Sequence, residues 1–177
     1  MVTPCDGFPC IRRGGAPILT GMATRSTSQA ALDDVSKAII EQLQQDGRRS
    51  YAAIGKAVGL SEAAVRQRVA KLLDAGIIQI VAVTDPLQVG FTRTAMVGVV
   101  VSGDVAAVAE TVAGYPEVDY VVITAGGFDL LVEVVVENDD HLLELANDRI
   151  RALPDVLRAE VFVYLKLHKQ TYTWGTR

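Results

Sequence analysis

A short run of polar side chains carries the residue types needed to read duplex DNA. In SEAAVRQRVAKLLDAG, spanning Ser61 to Gly76, Arg66, Gln67, Arg68 and Lys71 are set among apolar residues at helical spacing. With Val65 at the centre of a buried side and 100° per residue, Ala63, Gln67, Ala70 and Lys71 fall opposite it. Arg66 and Arg68 fall on the two flanks. The resulting face is slim in the middle and polar or basic at its edges, which suits a helix in the major groove. Gln67 matches an adenine edge and Arg66 a guanine, each contact contributing about 1–3 kcal/mol of base discrimination. Arg68 and Lys71 suit phosphates, which fix register and carry little sequence information. Ser61, Glu62 and Ala63, at the start of the same helix, complete the candidate DNA-binding set. The competing reading is a helical hairpin with a solvated basic face, and the motif alone divides evenly between the two.

That helix needs neighbours to position it. Ile54 and Val58 mark a preceding helix that Ser50 caps and Gly59 ends, because glycine takes a left-handed backbone at little cost. Ser61 is the next N-cap, with Glu62 where the helix dipole favours negative charge. Val65, Val69, Leu72 and Leu73 then form an apolar stripe that must dock on a third helix. Val35, Ile39, Ile40 and Leu43 supply it, starting at Asp33 or Asp34 and ending before Gly47. The run Ile77 to Val83 is expected as a wing or exit strand, and Asp85-Pro86 closes the domain.

Composition bounds the rest. The chain has 177 residues, half of them hydrophobic, with a formal charge of −4. That charge is segregated: residues 1–32 carry +2, 33–76 carry +1 and 77–177 carry −7. Local field governs contact with nucleic acid more than net charge does. No apolar run is long enough to span a bilayer, so no membrane partner is expected. Pro4, Pro9, Arg12 and Arg13 stand where a secretory leader would be apolar. Residues 1–31 are expected as a flexible tail, with Cys5 and Cys10 as reduced thiols, no metal and a cytoplasmic location. Met22 leaves open whether residues 1–21 are an over-extended start or a tag.

Beyond a linker at 85–92, strand and helix signals alternate over 93–177. Strands are predicted at Ala95 to Val101, Val118 to Thr124, Leu130 to Val136 and Leu157 to Leu167. In the last, Leu157, Ala159, Val161, Val163, Leu165 and Leu167 alternate with Arg158, Glu160, Phe162, Tyr164 and Lys166. Helices are predicted from Val105, Val108, Ala109 and Val112, and from Leu142, Leu143, Ala146, Ile150 and Leu153. The order βαββαβ gives a ferredoxin-like sheet with both helices on one face. Its other face is left uncovered, so a homodimer is expected. The fold class is α+β: a winged helix-turn-helix over 32–84 followed by the sheet domain.

This layout resembles the Lrp/AsnC, or feast/famine, family of transcriptional regulators over about residues 32–172. GLSEAAVRQRVAKLLDAGII resembles the family's recognition helix and exit strand. AGGFDLLVEV resembles its strand-turn-strand signature, through Gly126, Gly127, Phe128 and Asp129, and LPDVLRAEVFVYLKLHK resembles its closing segment. Ser36 stands where the family often has a second Asp, Gly127 where a polar or acidic residue is frequent, and Val161 where Thr is common. The resemblance implies dimers that assemble further, up to octamers or other rings. It also implies a small effector, typically an amino acid, bound near the turn at Gly126–Asp129. The turn's chemistry is compatible: unshielded N–H groups of Gly126 and Gly127 suit a carboxylate, Asp129 an ammonium, and Phe128 a side-chain wall. A plain Gly-Gly hairpin is the competing reading.

Two further alternatives stand beside a sequence-specific regulator. One is an architectural DNA-binding protein of low specificity, against which the modest charge of 33–76 argues. The other is an enzyme resembling sirohaem decarboxylases on the same architecture. The only histidines are His141, at a helix start, and His168, at a strand end, and no triad, Walker loop or HExxH motif occurs. A non-enzymatic role is expected.

Overall fold

The computed structural model describes residues 32–171 and 173–176. The tail expected over 1–31, with Cys5, Cys10 and Met22, lies outside the described residues. The chain divides into two compact units. One runs to Val81 and includes the C-terminal segment from Thr171, and the other is Ala82–Gln170.

The first unit holds three helices, α1 (Asp34–Gln45), α2 (Tyr51–Val58) and α3 (Glu62–Asp74). Each begins at a side-chain cap: Asp33 accepts from the Ser36 N–H, Ser50 from Ala53 and Ser61 from Ala64. Ile39, Ile54, Val65 and Val69 are fully buried at the centre. Leu73, predicted in the same stripe, is exposed because it lies about 80° round the helix from Val65. The α2–α3 turn is tight at both ends. Gly59 is left-handed, with φ 73°, and the Leu60 N–H donates to the Gly55 carbonyl at 2.9 Å. A Cβ on Gly55 would lie 2.5 Å from the Leu60 carbonyl oxygen, so glycine is required there by close approach. The expected wing is a correction: residues 77–83 form no strand. A strand needs a ladder partner, and the described residues of this unit hold no other strand. The C-terminal segment returns to α1, where the Gly175 N–H donates to Gln44 at 3.1 Å and the Thr176 hydroxyl to Glu41 at 2.7 Å.

The second unit is a four-stranded antiparallel sheet of β1 (Arg93–Val101), β2 (Val118–Ile123), β3 (Leu130–Val136) and β4 (Val156–Val163), in the order β2-β3-β1-β4. Helix α4 (Val105–Ala113) and helix α5 (Asp139–Glu144) with its π-helical continuation Leu145–Ile150 cover one face. Ala95, Val97, Val99, Leu130, Val132 and Val134 alternate into this core. The last strand, predicted from Leu157 to Leu167, differs in two places. Val100 pairs with Arg158 but Val101 pairs with Val156, so Leu157 is the extra residue of a bulge and is 69% exposed. Beyond Val163 the strand ends, and Leu165 and Leu167 are exposed. In α5 the π-helical turn carries Leu145 inward, and Leu143, one of the apolar residues that mark this helix, faces out.

Among the described residues of this unit, no helix covers the second sheet face. Met96, Val100, Leu131, Val135, Phe162 and Tyr164 occupy it, by alternation with the core set and by register. Burial, and then donation to Glu133, push the Tyr164 hydroxyl up to about 12.

Candidate nucleic-acid interface and effector turn

The outer face of α3 is open. Ser61, Glu62, Ala63, Arg66, Gln67, Ala70 and Lys71 are all exposed, opposite buried Val65, Val69 and Leu72. Arg66 is held at its position by two neighbours. Its Nη2 donates to Glu62 Oε1 at 2.7 Å, one turn back, and its guanidinium lies 5.3 Å from the centre of the Tyr51 ring on α2.

Arg68, expected at phosphates, is partly engaged: its Nη1 donates to Asp33 Oδ2 at 2.6 Å and to the Ser36 hydroxyl at 3.1 Å. This nitrogen ties α3 to the start of α1. The flank position at 100° per residue allowed either direction, and Asp33 decides it. The Ser36 side-chain hydrogen bond, then Arg68, hold the Asp33 carboxyl down at about 2. Ser36, noted as a departure from the family pattern, sits inside this link.

The turn between β2 and β3 is wider than a two-residue hairpin. The Thr124 N–H donates to the Asp129 carbonyl at 2.8 Å, and the Thr124 hydroxyl to the Phe128 carbonyl at 2.6 Å. Gly126 and Gly127 are exposed with open space around them, and neither has positive φ. Phe128 does not stand free as a pocket wall. Its ring lies on the uncovered sheet face over Gly98, where a Cβ would come within 2.8 Å of it. It meets Phe162 edge-on at 5.9 Å between centroids, with the Arg158 guanidinium 5.4 Å from the ring centre. Asp129 is also engaged: its Oδ2 accepts from the Val101 N–H at 2.8 Å, and its own N–H donates to the Val99 carbonyl at 2.9 Å. Thr124, Gly98 and Arg158 were not singled out from the sequence; only the ladder register brings them to Phe128 and Asp129.

His141 is not a free base. Its Nε2 lies 3.2 Å from Glu117 Oε1, which also accepts from Arg149 at 2.8 Å. Burial pushes the Glu117 carboxyl up, but its backbone hydrogen bond, Arg149 and His141 together hold it below its ordinary value. The Arg149 guanidinium lies 4.2 Å from the centre of the Tyr115 ring. His168 is exposed. Among the described residues no group of His, Cys, Asp or Glu is arranged to hold a metal, and no helix is long and apolar enough to cross a membrane.

A three-helix unit with an exposed polar recognition helix, joined to a βαββαβ sheet, defines a helix-turn-helix protein with a separate sheet domain. Residues 32–73 match the AsnC-type helix-turn-helix domain, and residues 91–177 match a C-terminal dimeric α+β barrel domain. The chain is 34% identical to the HTH-type transcriptional regulator FL11 of Pyrococcus horikoshii, over 79% of this chain and 93% of the relative. It is 30% identical to the proline dehydrogenase transcriptional activator of Rhizobium radiobacter, over 79% and 93%. Among solved structures, a Neisseria meningitidis regulator in complex with L-Met superposes with a TM-score of 0.70 at 26% identity, covering 80% of this chain and 95% of that one. The chain belongs to the Lrp/AsnC family of DNA-binding transcriptional regulators.

Proposed function

We propose that this chain is a sequence-specific regulator whose DNA contacts come from Ser61, Glu62, Ala63, Arg66, Gln67 and Lys71. The observation that carries the reading is the exposed outer face of α3, with Arg66, Gln67 and Lys71 unburied above a fully packed inner face. Arg68 is left out of this set because its Nη1 is given to Asp33 and Ser36 at the start of α1 and its side chain is 36% exposed against 65% for Arg66. Two such helices in a dimer would read half-sites about one DNA turn (~34 Å) or a multiple apart. The acidic sheet domain would keep its distance from phosphate.

The uncovered sheet face supports a dimer formed through that face, acting in the cytoplasm. Higher assembly to octamers or other rings of dimers is part of the same proposal. We assign the effector to the turn at Gly126–Asp129, with an amino acid as its chemical class; the L-Met complex of the Neisseria relative supports that class. The N–H groups of the exposed residues Gly126 and Gly127 would take the carboxylate. The Asp129 carboxylate keeps one oxygen outside its bond to Val101 for the ammonium. An effector at a contact between dimers alters DNA binding only by favouring one arrangement of the assembly.

The test is operator selection from a random duplex library, followed by affinity for selected and random DNA at physiological salt. A regulator shows a ratio on the order of 10³ or more. A ratio near one returns the architectural reading, and no binding to any duplex sinks both. Repeating affinity and sedimentation with each common amino acid tests the sensing half; indifference to all of them removes it.

A further inference from the structure

The one cation on the recognition helix that the structure holds in a defined posture outside the α1 link is Arg66. It is clamped from two directions by groups with different chemistry. Glu62 lies one turn earlier on α3 and accepts a hydrogen bond from Nη2 at 2.7 Å. Tyr51, the first residue of α2, presents its ring 5.3 Å from the guanidinium carbon. Tyr51 packs its body against the small helical core, so the ring is itself held in place.

A guanidinium carries five N–H donors. Glu62 takes one, which leaves the rest for a base edge. A long exposed arginine otherwise loses rotamer freedom when it docks. Stacking against Tyr51 and bonding to Glu62 settle that cost before DNA arrives. Among the described residues, Lys71 and Gln67 have no comparable clamp.

We propose that Tyr51 is a positioning residue for base readout: its ring, with the Glu62 carboxylate, pre-orients Arg66 for bidentate pairing with one guanine in each half-site. Specificity at that base then depends on a residue of α2 that need not touch the base. This rests on the contact face assigned above, and the two can fail separately.

The experiment is selection of bound sites from a randomised duplex library by the full-length protein, sequenced for wild type, Arg66→Ala, Tyr51→Phe, Tyr51→Leu and Glu62→Gln. Arg66→Ala should abolish guanine preference at one position per half-site. Tyr51→Phe retains the ring face and should retain that preference. Tyr51→Leu should reduce it about two- to five-fold at that position alone, the scale of an exposed cation–π contact. Glu62→Gln leaves the core untouched; it should reduce the same preference while raising affinity for all sequences, because a negative charge beside phosphate is removed. It therefore carries the test if Tyr51→Leu does not fold.

The proposal is overturned if Tyr51→Leu and Glu62→Gln keep wild-type preference at the position that Arg66→Ala erases. It is equally overturned if Tyr51→Leu weakens binding at every position by the same factor. If Arg66→Ala erases no position, the contact face itself is misassigned, and both readings fall together.

Discussion

The two candidate sites are built in opposite ways. On α3 the side chains assigned to contact DNA point into solvent, and their packing duties fall to other residues: Val65, Val69 and Leu72 fill the core, and Arg68 ties α3 to α1. At the Gly126–Asp129 turn, the residues with the most chemistry are already occupied. Phe128 fills the space above Gly98, and Asp129 closes the end of β1 by accepting from Val101. A surface that reads a rigid duplex can be displayed on a helix. A site for a small molecule has to share residues with its scaffold, so a mutation there moves binding and stability together. The useful experiments are those that separate the two.

The largest effects are expected where the turn meets the sheet. Gly98→Ala puts a Cβ within 2.8 Å of the Phe128 ring and should cost about 1–3 kcal/mol by overpacking, measured by urea denaturation. Phe128→Leu in the same chain should recover part of that loss; no recovery would mean the ring is not the obstacle. Asp129→Ala strands the half-buried Val101 N–H and should also cost about 1–3 kcal/mol, whereas Asp129→Asn keeps an acceptor and should cost much less. If Asp129→Asn keeps stability but loses the effector response, the charge serves the ligand. If the response survives, Asp129 is scaffold only.

Smaller effects test the helical side. Arg68→Ala should destabilise the first unit by roughly 0.5–1 kcal/mol, the scale of a partly exposed ion pair, and leave base preference unchanged. Uniform loss of DNA affinity with unchanged stability would restore its phosphate role. Gly127→Thr should be close to neutral in stability, since nothing lies within 4 Å of its Cβ and φ is not positive. It should nonetheless blunt the effector response. Least visible is the acid dependence of the Asp33 link. Its folded pKa of about 2 lies below the ordinary carboxylate value of 3.8, so its stabilisation is full above about pH 4 and disappears as pH falls through 2. Circular dichroism over that window should show the wild type losing stability faster than Asp33→Asn.

Most of the helical unit was legible because caps and apolar spacing are local signals: Ser50, Ser61 and Gly59 mark boundaries within a residue or two. The direction of Arg68 was not, because Asp33 lies 35 residues away and a flank position commits to neither side. The strands were legible from alternation until pairing intervened. Leu157 has the pattern of an inward residue, and only the irregular register between Val100 and Val101 sends it out. The expected wing failed for the same reason: β-propensity in 77–83 is local, but a ladder needs a second strand. At the turn, the residue types pointed to ligand chemistry, yet Phe128 is claimed by a missing Cβ on another strand.

The return of the C-terminal segment to α1 has a practical consequence for spectroscopy. The chain has a single tryptophan, Trp174, and it sits in that segment, 79% exposed and adjacent to Gly175, whose N–H is held by Gln44. Tryptophan emission, excited apart from the tyrosines, therefore follows this short strap and the first helix, from an already red-shifted starting point. Fluorescence and far-ultraviolet melting curves should part company, and their gap measures how early the strap lets go.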